Sequence, residues 1–313
     1  MANFIDTPHG NTIAYNQFIG KKTGIVFLSG FKSDMKGNKA LYIENWAKDN
    51  DHSFLRFDYS GHGESSGKID KKCFSDWYMD AEFLIKKLTK GKQILIGSSM
   101  GGWVMLMLAK NLQKKIFGLI GLAPAPDFPK LLIWDKMNID QKKSLIKNRK
   151  ITISNNDGSQ NIFSYKFIKD SFKNLVLSED LHFDGPVYLY HGMADTDVPY
   201  TLSIDIMKNI VGTQNIKLLL DKEAGHRLSQ ANQLKIIIDI IKKMRTSFGL
   251  ACMAMAAQTY AFDWNIVKHA VLTSSLGEDY EQHPVYQFHG TNRSTARKNM
   301  EKHSDRKVAD LSK

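Results

Sequence analysis

The sequence predicts an α/β fold with a mostly parallel central sheet and helices on both of its faces. Three observations carry this. Short aliphatic runs alternate with longer helical patterns along the chain. The runs are continuously apolar rather than alternating, as strands buried on both faces require. At one run-to-helix junction stands a Gly-x-Ser-x-Gly pentapeptide, Gly97 to Gly101.

The elements follow in order. After a hairpin-like stretch at 11–18, strands are expected at 24–30 (GIVFLSG), 54–58 (FLRFD), 93–98 (QILIGS) and 117–123 (FGLIGLA). Two more are expected at 187–191 (VYLYH) and 216–220 (IKLLL). Helices are expected at 40–48, 75–88, 100–112, 202–210 and 233–244. The stretch 128–185 breaks the rhythm with a lysine-rich composition and reads as a lid insertion. It carries a hairpin signal, Asn156-Asp157-Gly158, between ITIS and NIFSYKF. The domain therefore spans 1–245. Residues 246–313, of changed composition, are expected to form an appendage, helical or partly disordered. Met253-Ala254-Met255-Ala256 reads like a translation start within it, as in a fused fragment.

Bulk properties bound the function. With 313 residues, 42% hydrophobic and 24% charged, the chain reads as a soluble globular protein. Its net charge of +11 comes from scattered lysine pairs, with no aromatic-interleaved basic stripe. Solubility, rather than a nucleic-acid partner, is the expected reason. The tail holds 8 basic against 7 acidic residues and the remainder 35 against 25, so the excess belongs to the body. Cys73 and Cys252, the only cysteines, offer neither a disulfide framework nor metal-ligand spacing. The first residues show no signal or transit pattern, and no apolar run reaches the ~20 residues of a membrane span. A cytoplasmic location is expected.

The pentapeptide sits in the context its chemistry needs. Gly97-Ser98-Ser99-Met100-Gly101 follows the strand QILI and opens the apolar helix WVMLMLA, the strand–turn–helix of the α/β-hydrolase nucleophile elbow. Ser99 is the candidate nucleophile. A serine needs a base, the base needs an orienting carboxylate, and in this architecture the chain order is Ser, Asp or Glu, His. In His191-Gly192-Met193-Ala194-Asp195-Thr196-Asp197, both aspartates qualify as the acid. Asp195 is favoured because Asp197, beside Val198-Pro199, reads as a helix cap. Asp127 is a third option. Of ten histidines, His226 alone lies past the acid, at a strand end and within the body. His191 reads as structural and His62 as a loop residue. The oxyanion donors are assigned to the backbone N–H groups of Met100 and Phe31, the latter with an incidental side chain.

The stretches FLSGFKSDMKGNKA, RFDYSGHGESSG, IGSSMGGW, HGMADTDVP and GHRLS together resemble the acyl-protein thioesterase and acyl-glucuronide esterase branch of the α/β-hydrolases and its bacterial relatives. The likeness runs over about residues 10–244. Gly225 stands where that branch usually has an aspartate. The resemblance implies the triad Ser99, Asp195 and His226, with Phe31 and Met100 as oxyanion donors. It also implies cofactor-independent hydrolysis of a small-molecule ester or thioester, with acyl-proteins among the candidate substrates. Medium or long acyl groups rank first and small aryl or glucuronide esters second. Leu131, Leu132, Ile133, Trp134 and Met137 either line an acyl pocket or pack the lid onto the body. Carbon–carbon bond hydrolysis or peptide cleavage on the same triad is one alternative. A non-catalytic binding module is the other, against which the intact Ser, Asp, His and elbow glycines argue.

Overall fold

The computed structural model describes residues 1–154 and 160–244. Strands β1 (Asn3–Asp6), β2 (Thr12–Phe18) and β3 (Lys22–Leu28) precede helix α1 (Asn38–Asp49) and β4 (His52–Phe57). Helix α2 (Phe74–Leu88), β5 (Gln93–Ser98), α3 (Met100–Asn111) and β6 (Ile116–Leu122) follow. The insertion then runs through a π-helical turn (Pro129–Trp134), α4 (Ile139–Asn148), β7 (Lys150–Ser154), β8 (Gln160–Ser164), α5 (Tyr165–Ser171) and β9 (Leu181–Phe183). The chain returns as β10 (Val187–Gly192), α6 (Thr201–Asn209), β11 (Ile210–Gly212) and β12 (Ile216–Asp221). A last helix, α7, covers 231–244.

Eight strands form the central sheet in the order β1-β2-β4-β3-β5-β6-β10-β12. Only β1–β2 and β2–β4 pair antiparallel; the rest is parallel. The six strands read from aliphatic runs fall in place with end shifts of one or two residues. The expected hairpin at 11–18 is instead the single strand β2, whose partner is β1. That strand lies at the sheet edge with three of its four residues exposed, so no apolar run marks it.

Two cores flank the sheet. On one face α2 and α3 bury Trp77, Trp103, Leu84 and Met105. On the other, α1 and α7 bury Ile43, Ala47, Ile237 and Ile241. Helix α3 is buried all round for ten consecutive residues, Met100 to Ala109. It is the central helix its composition implies.

The insertion is a structured lid. Strands β7 and β8 pair antiparallel from Lys150–Ser164 to Ser154–Gln160, as the hairpin signal predicts, while the turn itself lies outside the described residues. Helix α4 starts on a capping box in which the Asn138 side chain accepts from the Gln141 amide and the Gln141 side chain from the Asn138 amide. The lid is pinned at its root by Asp127. Its buried carboxylate accepts the Val176 and Leu177 amides at 2.9 and 3.0 Å, which gives it a structural task and takes it out of contention as the acid. Ile133 and Met137 are buried in the main core, and Leu131 and Leu132 pack near Ala125, Val198 and Leu202. These side chains fasten the lid to the body. The expected appendage, 246–313, lies outside the described residues. Among the described residues, no helix is long and apolar enough to cross a membrane.

Candidate active site

The serine, acid and base arrive from three parallel strands in the same half of the sheet, with β6 between the first and the second, at their carboxyl ends, where α/β sheets place their sites. Ser99 follows β5, Asp195 follows β10 and His226 follows β12. Ser99 sits at φ +54°, ψ −121°, a conformation L-residues avoid. Neighbours enforce it: a Cβ on Gly101 would stand 2.0 Å from the Leu28 carbonyl oxygen, and one on Gly97 2.5 Å from that of Gly101. The strained turn lifts the Ser99 hydroxyl out of the sheet, whereas Ser98 stays buried in β5.

The three side chains form one hydrogen-bonded chain. Ser99 Oγ lies 2.9 Å from His226 Nε2, and His226 Nδ1 lies 2.7 Å from Asp195 Oδ2. A carboxylate only accepts, so Nδ1 carries the ring proton and Nε2 is left to accept from the hydroxyl. The Asp195 side chain is fully buried and that of His226 is 21% exposed. Burial works against the charge on Asp195. The hydrogen bonds from His191 and His226, with the Val198 amide, outweigh it and hold the carboxyl well below the usual carboxylate range.

Asp197 does not cap the next helix. Helix α6 begins after Tyr200 without any side-chain cap. The turn is held by Asp195 itself, whose Oδ1 accepts the amides of Asp197 and Val198 at 2.9 and 2.8 Å. This turns the Asp197 side chain into solvent. Ligand atoms of Asp195, Asp197 and His226 lie within 4.8 Å of one another, but Asp195 Oδ2 and His226 Nδ1 are engaged with each other.

His191, read from sequence as structural, meets the acid directly. Its Nε2 lies 3.1 Å from Asp195 Oδ2 and 3.0 Å from the Val198 carbonyl oxygen. Both neighbours accept, so Nε2 is protonated, and in the neutral ring Nδ1 accepts from the Ser203 hydroxyl at 2.7 Å. Asp195 Oδ2 therefore receives two imidazole N–H groups. The one sequence signal was the position of His191 four residues before Asp195, across a turn.

The loop after β3 passes beside the nucleophile: a Cβ on Gly30 would sit 3.2 Å from Ser99 Cβ. Among the described residues, neither the Phe31 nor the Met100 amide has a hydrogen-bond acceptor. Met100 is the first residue of α3, where the helix dipole adds positive potential. The Phe31 side chain is far from incidental. Its ring contacts His62, Trp77, Phe128, Phe163 and Phe167, with centroids 5.7–6.3 Å away. Phe163 and Phe167 come from the lid, so one ring ties the β3 loop to its roof. Lys32 repeats the link through a 2.6 Å hydrogen bond from Nζ to Asn161 Oδ1.

His62 props the same loop. Its Nε2 accepts the Lys32 amide at 3.2 Å, which requires an unprotonated nitrogen. Burial lowers its pKa to about 4 from 6.5. The unfolded ring thus binds a proton as pH falls through 6.5, while the folded ring resists until about 4. Stability present above pH 6.5 is lost on the way down, by up to about 3 kcal/mol from this group. His62→Gln is expected to lose less stability than wild type between pH 7 and pH 4.5 in urea unfolding. Parallel losses in the two proteins would contradict this account of the ring.

In sequence and in fold the chain is similar to known hydrolases. Residues 21–166 match the family model described as "Serine aminopeptidase, S33". The chain is 31% identical over 250 residues to the human mitochondrial palmitoyl-protein thioesterase ABHD10, covering 78% of this chain and 81% of that relative. The structure of mouse alpha/beta hydrolase domain-containing protein 10 superposes with a TM-score of 0.75 at 30% identity, over 79% of this chain and 99% of that one. A putative hydrolase from Agrobacterium vitis gives 0.74 at 29% identity, over 78% and 98%.

Proposed function

Since the chain belongs to the α/β-hydrolase family, as a serine hydrolase of the esterase and thioesterase class, we propose that Ser99, His226 and Asp195 carry out its reaction on an acyl ester or thioester. The observation that carries the assignment is the unbroken hydrogen-bond chain from Ser99 Oγ to Asp195 Oδ2.

In this reading Ser99 Oγ attacks the substrate carbonyl carbon as His226 Nε2 takes its proton. Asp195 stabilises the imidazolium without accepting the proton. The N–H groups of Phe31 and Met100 hold the tetrahedral oxyanion. Collapse expels the alcohol or thiol, which leaves with the proton from His226, and Ser99 is acylated. A water molecule, deprotonated by His226, then attacks the acyl-enzyme. The carboxylic acid departs and Ser99 recovers its proton.

The acyl portion is apolar in this proposal. Around Phe31 stand the rings of Trp77, Phe128, Phe163 and Phe167, which suit an alkyl chain. Palmitoyl-proteins, the substrates in the name of the mammalian relative, carry such chains.

The test is a panel of p-nitrophenyl esters and acyl-CoA thioesters of increasing chain length. Acceleration by about threefold to fourfold in kcat/KM is expected for each methylene that enters the apolar site. A flat or falling series, with higher rates on aryl or glucuronide esters, would move the substrate class to the smaller compounds.

A further inference from the structure

The lid carries a large part of the chain's excess charge. Between residues 128 and 173 stand ten lysines and arginines against four aspartates, six of the net +11. Two of those aspartates are engaged: Asp135 pairs with Lys130 at 2.7 Å, and Asp170 accepts from the amide and hydroxyl of Ser75.

The outer surface of the lid is also apolar in a patterned way. On α4, Ile139 and Ile146 are two helical turns apart and share one ridge. They are 71% and 45% exposed, while Leu145, about 100° round the helix from Ile146, is buried. By helical position Lys143 and Lys147 flank the ridge on one side and Lys142 on the other, its Nζ 5.2 Å over the Trp134 ring. On β8 the alternation of a strand gives the same result. Phe163 points in, against Phe31, and Ile162 is 56% exposed.

We propose that the Ile139–Ile146 ridge of α4 docks on a bilayer surface rich in anionic phospholipid. Aliphatic side chains flanked by lysines are the pattern of an interfacial helix: the isoleucines enter the acyl boundary and the lysine stems reach back to the headgroups. The sign of the charge complements an anionic leaflet. A ridge of single isoleucines gives a folded partner no pocket to fill, whereas a fluid bilayer needs none. Docking would set the roof of the oxyanion loop against the phase into which acyl chains partition. That advantage rests on the acyl reading above; the docking itself does not.

The test uses full-length Ser99→Ala protein, sedimented with vesicles of phosphatidylcholine alone or mixed with phosphatidylglycerol. Partition onto the mixed vesicles and little onto the neutral ones is expected. Combined Lys142→Gln, Lys143→Gln and Lys147→Gln should lower the partition coefficient on the order of a hundredfold. Combined Ile139→Ser and Ile146→Ser should lower it as well. In the wild-type background both sets should leave hydrolysis of soluble p-nitrophenyl acetate unchanged, which shows that the lid remains folded. No partition, equal partition onto both vesicles, or binding indifferent to both sets overturns the proposal. Retention on polyglutamate without vesicle binding overturns it in favour of an acidic polypeptide. Inactivity of wild type on every ester would strike the triad assignment and leave the vesicle result standing.

Discussion

Ser99→Ala is expected to lower kcat on the order of 10⁶-fold and to abolish labelling by a fluorophosphonate probe, with the melting temperature close to that of wild type. The size follows from what is removed. The hydroxyl is the attacking atom, and without it His226 has no proton to move, so only binding and the oxyanion donors remain. Stability is spared because the hydroxyl's recorded partner is His226, on the open side of the site, while the strained backbone at φ +54° is imposed by the Leu28, Gly97 and Gly101 contacts. Persistent labelling of Ser99→Ala, with the probe on Ser98, would refute the assignment.

Asp195→Asn is expected to cost on the order of 10⁴ in kcat, and Asp197→Asn less than about tenfold. The contrast lies in the donors. Asp195 Oδ2 receives His226 and His191, and Oδ1 receives the amides of Asp197 and Val198. An asparagine has one acceptor and one donor end. With its oxygen toward the histidines, its NH₂ opposes two backbone N–H groups; flipped, it opposes two imidazole N–H groups. Either way donors face donors in a buried place, so Asp195→Asn should also lose about 1–3 kcal/mol of stability. Asp197 presents only its amide to this network and its carboxylate to water. Equal losses of kcat, or a larger one for Asp197→Asn, would move the acid to Asp197.

The strands, the elbow and the order of serine, acid and base are legible in the sequence because each is written within a few consecutive residues. A buried parallel strand needs an apolar run, and the Ser99 turn needs small neighbours on either side. What escaped depends on residues far apart in the chain. The Phe31 ring gains its importance from Phe163 and Phe167, which arrive with the lid. Asp127 acquires its task from amides about fifty positions later. His191 is recognisable as part of the acid's surroundings only once the turn folds Asp195 back on it. Asp197 was misread as a cap because its neighbour's carboxylate captures the turn first. Strand β1 escaped for the opposite reason: an exposed edge imposes almost no composition.

The strand order also sets a clock. Chains leave the ribosome from their amino end, so β3, β5 and β6 can assemble around α3 while β10 and β12 are still being made. His226 is polymerised 127 residues after Ser99, an interval of roughly ten seconds at cellular elongation rates. It hangs from β12, which joins the sheet only through β10. A nascent chain can thus display a finished elbow while lacking the base that would arm it, and hydrolytic competence trails the folding of the nucleophile that carries it.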